Sequence, residues 1–348
     1  MTTAIEKDQG MRETYVKRTL RSAEFAILAV IIVVSIVINL LNPAFASVAN
    51  VLDIIRLITV NGMLALAVML VLISGGIDVS FTAIANITSF SMMTFLVAMN
   101  FDGPVIVWFA LAIVFGVVLG LVNGFFIAKM KLTALIVTLG TASLFYGASS
   151  FLMGTTPVFK FPQGIADFSG TYILTVPTAS GVGTSSLHVS VLILAAMAIG
   201  LALFLNRTTL GRSIYAIGGN PVVAARAGIN VSRVYYFVYA LAGGISAVAG
   251  VTYASLSRIA SPISLQGTEL VVIAGTVLGG VLIMGGSGSV RGALLGVLLL
   301  TIVQNSLVLV GIPNTWQLVA VGAVLIFGTV LPAWRTSRRN RLIGRAQL

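Results

Sequence analysis

The chain is dominated by long apolar runs that carry almost no charge. A bilayer core about 30 Å thick needs roughly 20 such residues to cross as a helix. Ten runs meet that need, at about residues 23–41, 57–74, 80–99, 104–127, 132–153, 189–206, 232–253, 268–284, 292–311 and 316–334. They are continuous rather than alternating, so they predict helices and not the strands of a membrane barrel. Hydrophobic residues make up 58% of the 348 and charged ones 8%, against about a quarter charged in soluble domains. So few charges cannot cover a water-facing globule. That excludes an ordinary soluble enzyme, a disordered chain and a disulfide-built secreted module. With no cysteine, thiolate metal sites and thiol catalysis are excluded too. The expected fold class is an all-α polytopic membrane protein of about ten transmembrane helices.

A net charge of +11 would suggest nucleic acid in a soluble protein. Here the basic positions report topology, and no nucleic-acid partner is expected. With the N-terminus inside and ten alternating spans, Lys7, Arg12, Lys17, Arg18, Arg21, Lys129, Lys131, Arg207, Arg212, Arg226, Arg233, Arg291, Arg335, Arg338, Arg339, Arg341 and Arg345 fall in or beside inside segments. Only Arg56, Lys160 and Arg258 of the 20 Lys+Arg remain outside. This positive-inside bias supports ten spans with both ends cytoplasmic. The chain then divides into a cytoplasmic tail at 1–22, a transmembrane domain at 23–334 and a basic cytoplasmic tail at 335–348. Within the domain, 154–188 is an outside loop and 207–231 the longest inside loop. Ala44-Phe45-Ala46 resembles a signal-peptidase site, but the first apolar run exceeds the usual signal core, so it is read as a retained anchor.

Ten spans divide as five plus five, and an odd number per half permits an inverted repeat with a pathway at its interface. Gly75-Gly76 and Gly285-Gly286 end the second and eighth spans. Gly116/Gly120/Gly124, Gly275/Gly279 and Gly292/Gly296 place small residues on one helix face, as close packing within the bundle or a dimer seam would require.

Chemistry-bearing motifs are sparse. No GxxxxGK[ST] is present, so a P-loop for ATP is excluded. GGSGSVRG at 285–292 lacks the strand a dinucleotide fingerprint needs and reads as an inside turn. His188 is the single histidine and has no second ligand beside it, so it reads as part of a membrane-edge turn; no metal site and no catalytic residue are expected. The acids are Glu6, Asp8, Glu13, Glu24, Asp53, Asp78, Asp102, Asp167 and Glu269. None is expected alone at mid-span, which weighs against an ion-driven secondary transporter.

Two places carry more. In SGGIDVS at 74–80 the glycines break the helix, and Asp78 or Ser80 can cap the next one. This is either a plain cap or a hinge at the inner end of a pathway. In the inside loop, Asn220 is a natural N-cap, Pro221 a natural first residue, and Gly228 a natural stop. A helix this short is marginal alone in water, so a docking partner is expected.

These segments resemble the sugar-type ABC importer permeases, the group that carries ribose, xylose, arabinose, galactofuranose and autoinducer-2. SGGIDVS is similar to their GGIDLS signature. GRSIYAIGGNPVVAARAGINVSRV resembles their cytoplasmic loop, and ELVVIAGTVLGGVLIMGGSGSVRGALLG, at 269–296, their third block. The likeness extends over about residues 50–332. After GGIDVS the family commonly has V-G-S, where this chain has Phe81-Thr82-Ala83, and that departure touches substrate choice.

The resemblance implies a permease subunit of a bacterial inner-membrane importer, with ATP and Mg bound by a separate ABC ATPase and no cofactor in this chain. Gly219, Asn220, Pro221, Ala224, Ala225, Arg226, Gly228 and Ile229 would couple to that ATPase. A second permease copy or relative and a solute-binding protein would complete the system, the latter docking on 154–188. Gly75, Gly76, Asp78, Gly285 and Gly286 would be moving joints. Asn61, Asn86, Ser89, Thr94, Asn123, Gln304 and Asn305 are intramembrane polar groups that either line a path for a small neutral sugar or bond helix to helix. A branched-chain amino-acid permease is the nearest rival and would need a counter-charge.

Overall fold

The computed structural model describes residues 23–178, 183–317, 319–323 and 326. Its helices are α1 (Ala23–Leu41), α2 (Val48–Ile73), α3 (Phe81–Ala98), α4 (Val105–Gly124, continued by a π-type turn to Lys129) and α5 (Ala134–Met153). A short α6 (Gln163–Ser169) and an antiparallel hairpin, β1 (Tyr172–Pro177) and β2 (Thr184–His188), follow. Then come α7 (Ser190–Arg207), α8 (Thr209–Gly219), α9 (Pro221–Arg226), α10 (Val231–Ser257), α11 (Glu269–Leu278) and α12 (Val290–Leu309).

Eight described helices are long and apolar enough to cross a membrane. The expected eighth run, 268–284, is helical only through the ten residues of α11, about 15 Å and half a bilayer core. The run is interrupted because Gly279, Gly280, Gly285, Gly286 and Gly288 follow in quick succession, four of them at positive φ. The tenth run lies mostly outside the described residues, as do the tails 1–22 and 335–348. The outside segment 154–188 is not a bare loop: it holds α6 and the hairpin.

α2 and α10 form the centre. Every side chain of α2 from Met63 to Ile73 is fully buried, which suits a helix that is apolar on all faces. Water does not drive helix association in lipid, so close backbone approach must hold the bundle together. Small residues supply it. A Cβ on Gly120 would lie 2.1 Å from the Tyr239 carbonyl oxygen, and one on Gly243 2.2 Å from that of Gly116. Gly279 meets Gly292, and Gly296 meets Gly275, in the same way. The helix-spaced glycines thus join α4 to α10 and α11 to α12 within one subunit; they are not a seam left open for a second copy.

Side-chain bonds join distant segments in two groups. At the outer end Arg56 donates to Leu256, Ser185 to Asp53 and Asn42 to Leu309. At the inner end Tyr215 donates to Gly288, Ser289 to Glu24 and Ser232 to Ala128. Each pair joins segments that the charge bias assigns to one side.

Candidate functional site

Two breaks shape the interior. In the inner one, Gly75 (φ +89) ends α2 and residues 76–80 run up into the protein before α3 begins. Thr138 of α5 holds this strand-like segment, accepting from the Val79 N–H at 3.3 Å and donating to the Ile77 carbonyl at 3.2 Å. The Asp78 Oδ1 accepts both the N–H and the hydroxyl of Ser80, each at 2.7 Å. Asn123 of α4 donates to the same Ser80 hydroxyl at 2.7 Å, and Thr141 donates to Asn123 at 2.7 Å. Asp78 therefore caps from just ahead of the helix, while Ser80, the N-cap residue, makes no capping bond of its own and links the cap to α4. Thr138 and Thr141 sit about 6–10 Å past the inner end of α5, so α3 starts within the membrane-spanning layer.

The outer break, residues 258–268, follows α10 and folds back inward, burying Ala260, Ser261 and Leu265. Asn86 of α3 fastens it: its amide donates to the Pro262 carbonyl and accepts the Leu265 N–H at 3.2 Å. This lets α11 start deep in the protein at Glu269. Thr82 donates to Glu269 Oε2 at 3.3 Å, as does the Gly267 N–H at 2.9 Å, and Tyr146 donates to Thr82 at 3.3 Å. Tyr146 lies about 18 Å from the inner end of α5 and about 10 Å from the outer end. The expectation that no carboxylate stands at mid-span is corrected here, because the broken helix carries Glu269 there.

The inside loop is more ordered than its sequence announces. Thr208 caps α8 through Gly211 at 2.9 Å, and Leu210, Ile214 and Ile217 share its inward face. Asn220 Oδ1 accepts from Val222 and Val223 at 3.0 and 3.1 Å and starts α9. Gly228 takes φ +86, the Ile229 N–H bonds back to Ala224 and the Gly228 N–H to Ala225, a Schellman stop. Both ends of a helix too short to stand alone are therefore closed. Ala224 is buried, while Gly219, Pro221, Val222, Val223, Ala225 and Arg226 are exposed.

Immediately before α9, Gly218 meets both glycine pairs. A Cβ there would lie 1.8 Å from the Ile73 carbonyl oxygen and 2.6 Å from the Gly286 nitrogen. The Gly286 N–H donates to Ile73 at 2.9 Å, and a Cβ on Gly285 would lie 2.7 Å from both the Gly75 Cα and the Gly218 oxygen. Gly76 sits 2.8 Å from the Tyr239 hydroxyl by the same measure. The end of α2, the loop after α11 and the root of α9 thus touch backbone to backbone.

The expected polar residues divide. Asn86 and Asn123 each secure one break. Asn305 donates to Asn50 of α2 at 2.7 Å, and Ser89 bonds back to Asn86 of its own helix. Thr94 is half-buried on α3 with its hydroxyl unpartnered, and Asn61 and Gln304 are half-buried on α2 and α12. Helix-to-helix bonding accounts for the clearest of them. Two residues sequence reasoning passed over, Tyr146 and Glu269, occupy the open side of the cluster. A Thr-Glu pair opening a helix was visible at 268–269; its depth was not.

Outside the membrane, His188 is buried in the α6–hairpin lobe. Its Nδ1 accepts the Ser190 N–H at 3.1 Å and its Nε2–H donates to the Phe168 carbonyl at 2.8 Å, a tautomer set by those partners. Burial and the charge of Arg56 lower its pKa against the raising effect of the Phe168 bond. The role is structural. Among the described residues no group of acidic or histidine side chains could hold a metal.

Residues 50–329 match the family described as branched-chain amino acid transport system / permease component. The chain is 33% identical to the ribose import permease protein RbsC of Bacillus subtilis, over 80% of this chain and 83% of the relative. It is 34% identical to the galactose/methyl galactoside import permease protein MglC of Escherichia coli, over 65% and 66%. It is 32% identical to the autoinducer 2 import system permease protein LsrD of Photorhabdus temperata, over 80% and 85%. No solved structure matches it significantly. The chain belongs to this family as a permease subunit of the sugar ABC importer kind, not an enzyme.

Proposed function

We propose that the chain carries a small neutral sugar across a bacterial inner membrane, powered by a separate ATPase subunit that grips α9. The observation that carries this reading is the joint of α9 with the end of α2 and the loop after α11. Val222 and Val223 are 60% and 58% exposed, and bare apolar groups in the loop read as cytoplasmic favour a partner. Their root, Gly218-Gly219, touches the end of α2 and the loop after α11 with no side chain between. A pull on α9 therefore reaches the inner break and the end of α11 without slack. The partner binds ATP and Mg, and its closure rocks the bundle between two arrangements. A second permease chain faces the first across the pathway, and a solute-binding protein docks on 154–188. A branched-chain amino acid would need a cation for its carboxylate as well as an acceptor for its ammonium; the cluster at Glu269 supplies only the acceptor.

The test is solute accumulation in proteoliposomes. The chain with its ATPase and binding protein concentrates sugar only when ATP is supplied. Accumulation by the chain alone on an ion gradient would overturn the reading.

A further inference from the structure

We infer that Glu269, Thr82 and Tyr146 form a solute subsite inside the membrane that accepts two hydroxyl groups of a neutral polyol. The inference rests on the reading of the chain as a permease and names the chemistry by which it holds its cargo. The hydrogen bonds run one way. Tyr146 donates to Thr82 at 3.3 Å, Thr82 donates to Glu269 Oε2 at 3.3 Å, and the Gly267 N–H donates to the same oxygen at 2.9 Å. Every donor of the cluster is therefore engaged. What remains are acceptors: Glu269 Oε1, which has no hydrogen bond among the described residues, and the lone pairs of the Tyr146 oxygen. Two acceptors and no free donor complement a molecule that offers two hydroxyls. A hydroxyl bonded to a carboxylate is of the stronger, charge-assisted kind. A solute phosphate or carboxylate would be repelled.

The cluster opens outward. Glu269 and Tyr146 are half-buried, and Ser143, one turn below Tyr146 on α5, is exposed. Gly140 and Gly147 share that face, and a Cβ on either would meet nothing within 4 Å. Toward the ends of the helix the same face is hydrocarbon, with Ile136 and Phe151 exposed, so the glycines and Ser143 form a short gap at the level of Glu269. A carboxyl group beside lipid chains is costly, and the gap left by Gly140, Ser143 and Gly147 gives water room beside Glu269. A purely structural role, bracing the turn at Gly267, accounts for one carboxylate oxygen and leaves the other without a purpose.

The chain has no cysteine, so a single thiol can be read without background. The full chain carrying Ser143→Cys, in its assembled complex, is treated with cationic and anionic methanethiosulfonates, with and without Glu269→Gln. We expect charged reagents to label Cys-substituted position 143, the cationic one faster by about tenfold, and the preference to collapse in E269Q. Leu144→Cys, on the hydrocarbon-bearing flank of the same helix, is the control. A panel of pentoses and hexoses, D-ribose and D-galactose included, should slow labelling with Glu269 present and not in E269Q. Labelling only by membrane-soluble maleimide, an unchanged charge preference in E269Q, or failure of every sugar to protect would each overturn the subsite. ATP-driven uptake by the unmodified complex is scored in parallel. Its presence with a failed labelling pattern sinks the subsite alone, and its absence sinks the permease reading.

Discussion

The inner and outer breaks do the same geometric job by different means. Each interrupts a pair of helices so that a helix can start inside the membrane layer. The inner one is closed by backbone against backbone at Gly75, Gly218 and Gly285, next to α9. The outer one is fastened by the side chain of Asn86 and opens beside Glu269 and the bare face of α5. Backbone contacts do not yield to small displacements, because packed interiors are bistable rather than elastic. Side-chain bonds can exchange with solute or water. On the proposed reading the inner break transmits force and the outer one meets solute.

The largest effect should come from Gly218→Val, which drives a side chain into the Ile73 carbonyl. A clash with backbone on both sides should cost about 3 kcal/mol or more, read as a fall in thermal stability together with loss of uptake. If the variant assembles and transports normally, the inner break is not tight. Asn86→Leu should come next. It leaves the Pro262 carbonyl and Leu265 N–H unpaired, at about 1–3 kcal/mol each by the usual scale for buried groups. Uptake should fall while ATP hydrolysis continues, because the inner joint is untouched; parallel loss of both would erase the distinction between the breaks.

Gly228→Val puts a β-branched residue at φ +86, a strain of about 1–2 kcal/mol. The expected outcome is hydrolysis without uptake in a chain that still inserts. Asp78→Ala removes the acceptor of two bonds from Ser80, worth about 1 kcal/mol as a helix cap. Transport lost with little change in melting temperature would make the segment a hinge as well as a cap. The smallest effect is pH-dependent and far from both breaks. His188 is held neutral, with its pKa lowered from 6.5 chiefly by burial. The unfolded chain then binds the extra proton first, so stability is full above about pH 6.5 and declines as pH falls below it. A His188→Gln variant should show a flatter melting profile between pH 7 and 5.

Much of this was legible in the residues. The long apolar runs yield the polytopic helical bundle, and Asn220, Pro221 and Gly228 mark α9 by their capping chemistry alone. Hidden from the sequence was depth. Thr268-Glu269 reads as the start of a span at the membrane edge, yet residues 258–268 fold inward first, and no local pattern announces that. The helix-spaced glycines left packing and a dimer seam both open until their partners on α10 and α12 were in view. α8 was missed because Leu210, Ile214 and Ile217 are only three apolar positions in a loop otherwise rich in glycine and polar residues. Gly218 was missed with it, since a contact with residues 73 and 286 has no signature at position 218.

The central claim is that a cytoplasmic ATPase moves this chain by holding α9. Val222→Cys in the otherwise cysteine-free chain tests it most directly, by site-specific cross-linking to the ATPase in intact membranes. The account predicts an adduct that forms from the cytoplasmic side and stops uptake until it is reduced. A thiol at that position that reacts from the outer face, or an adduct with the ATPase that leaves transport unaffected, would contradict it.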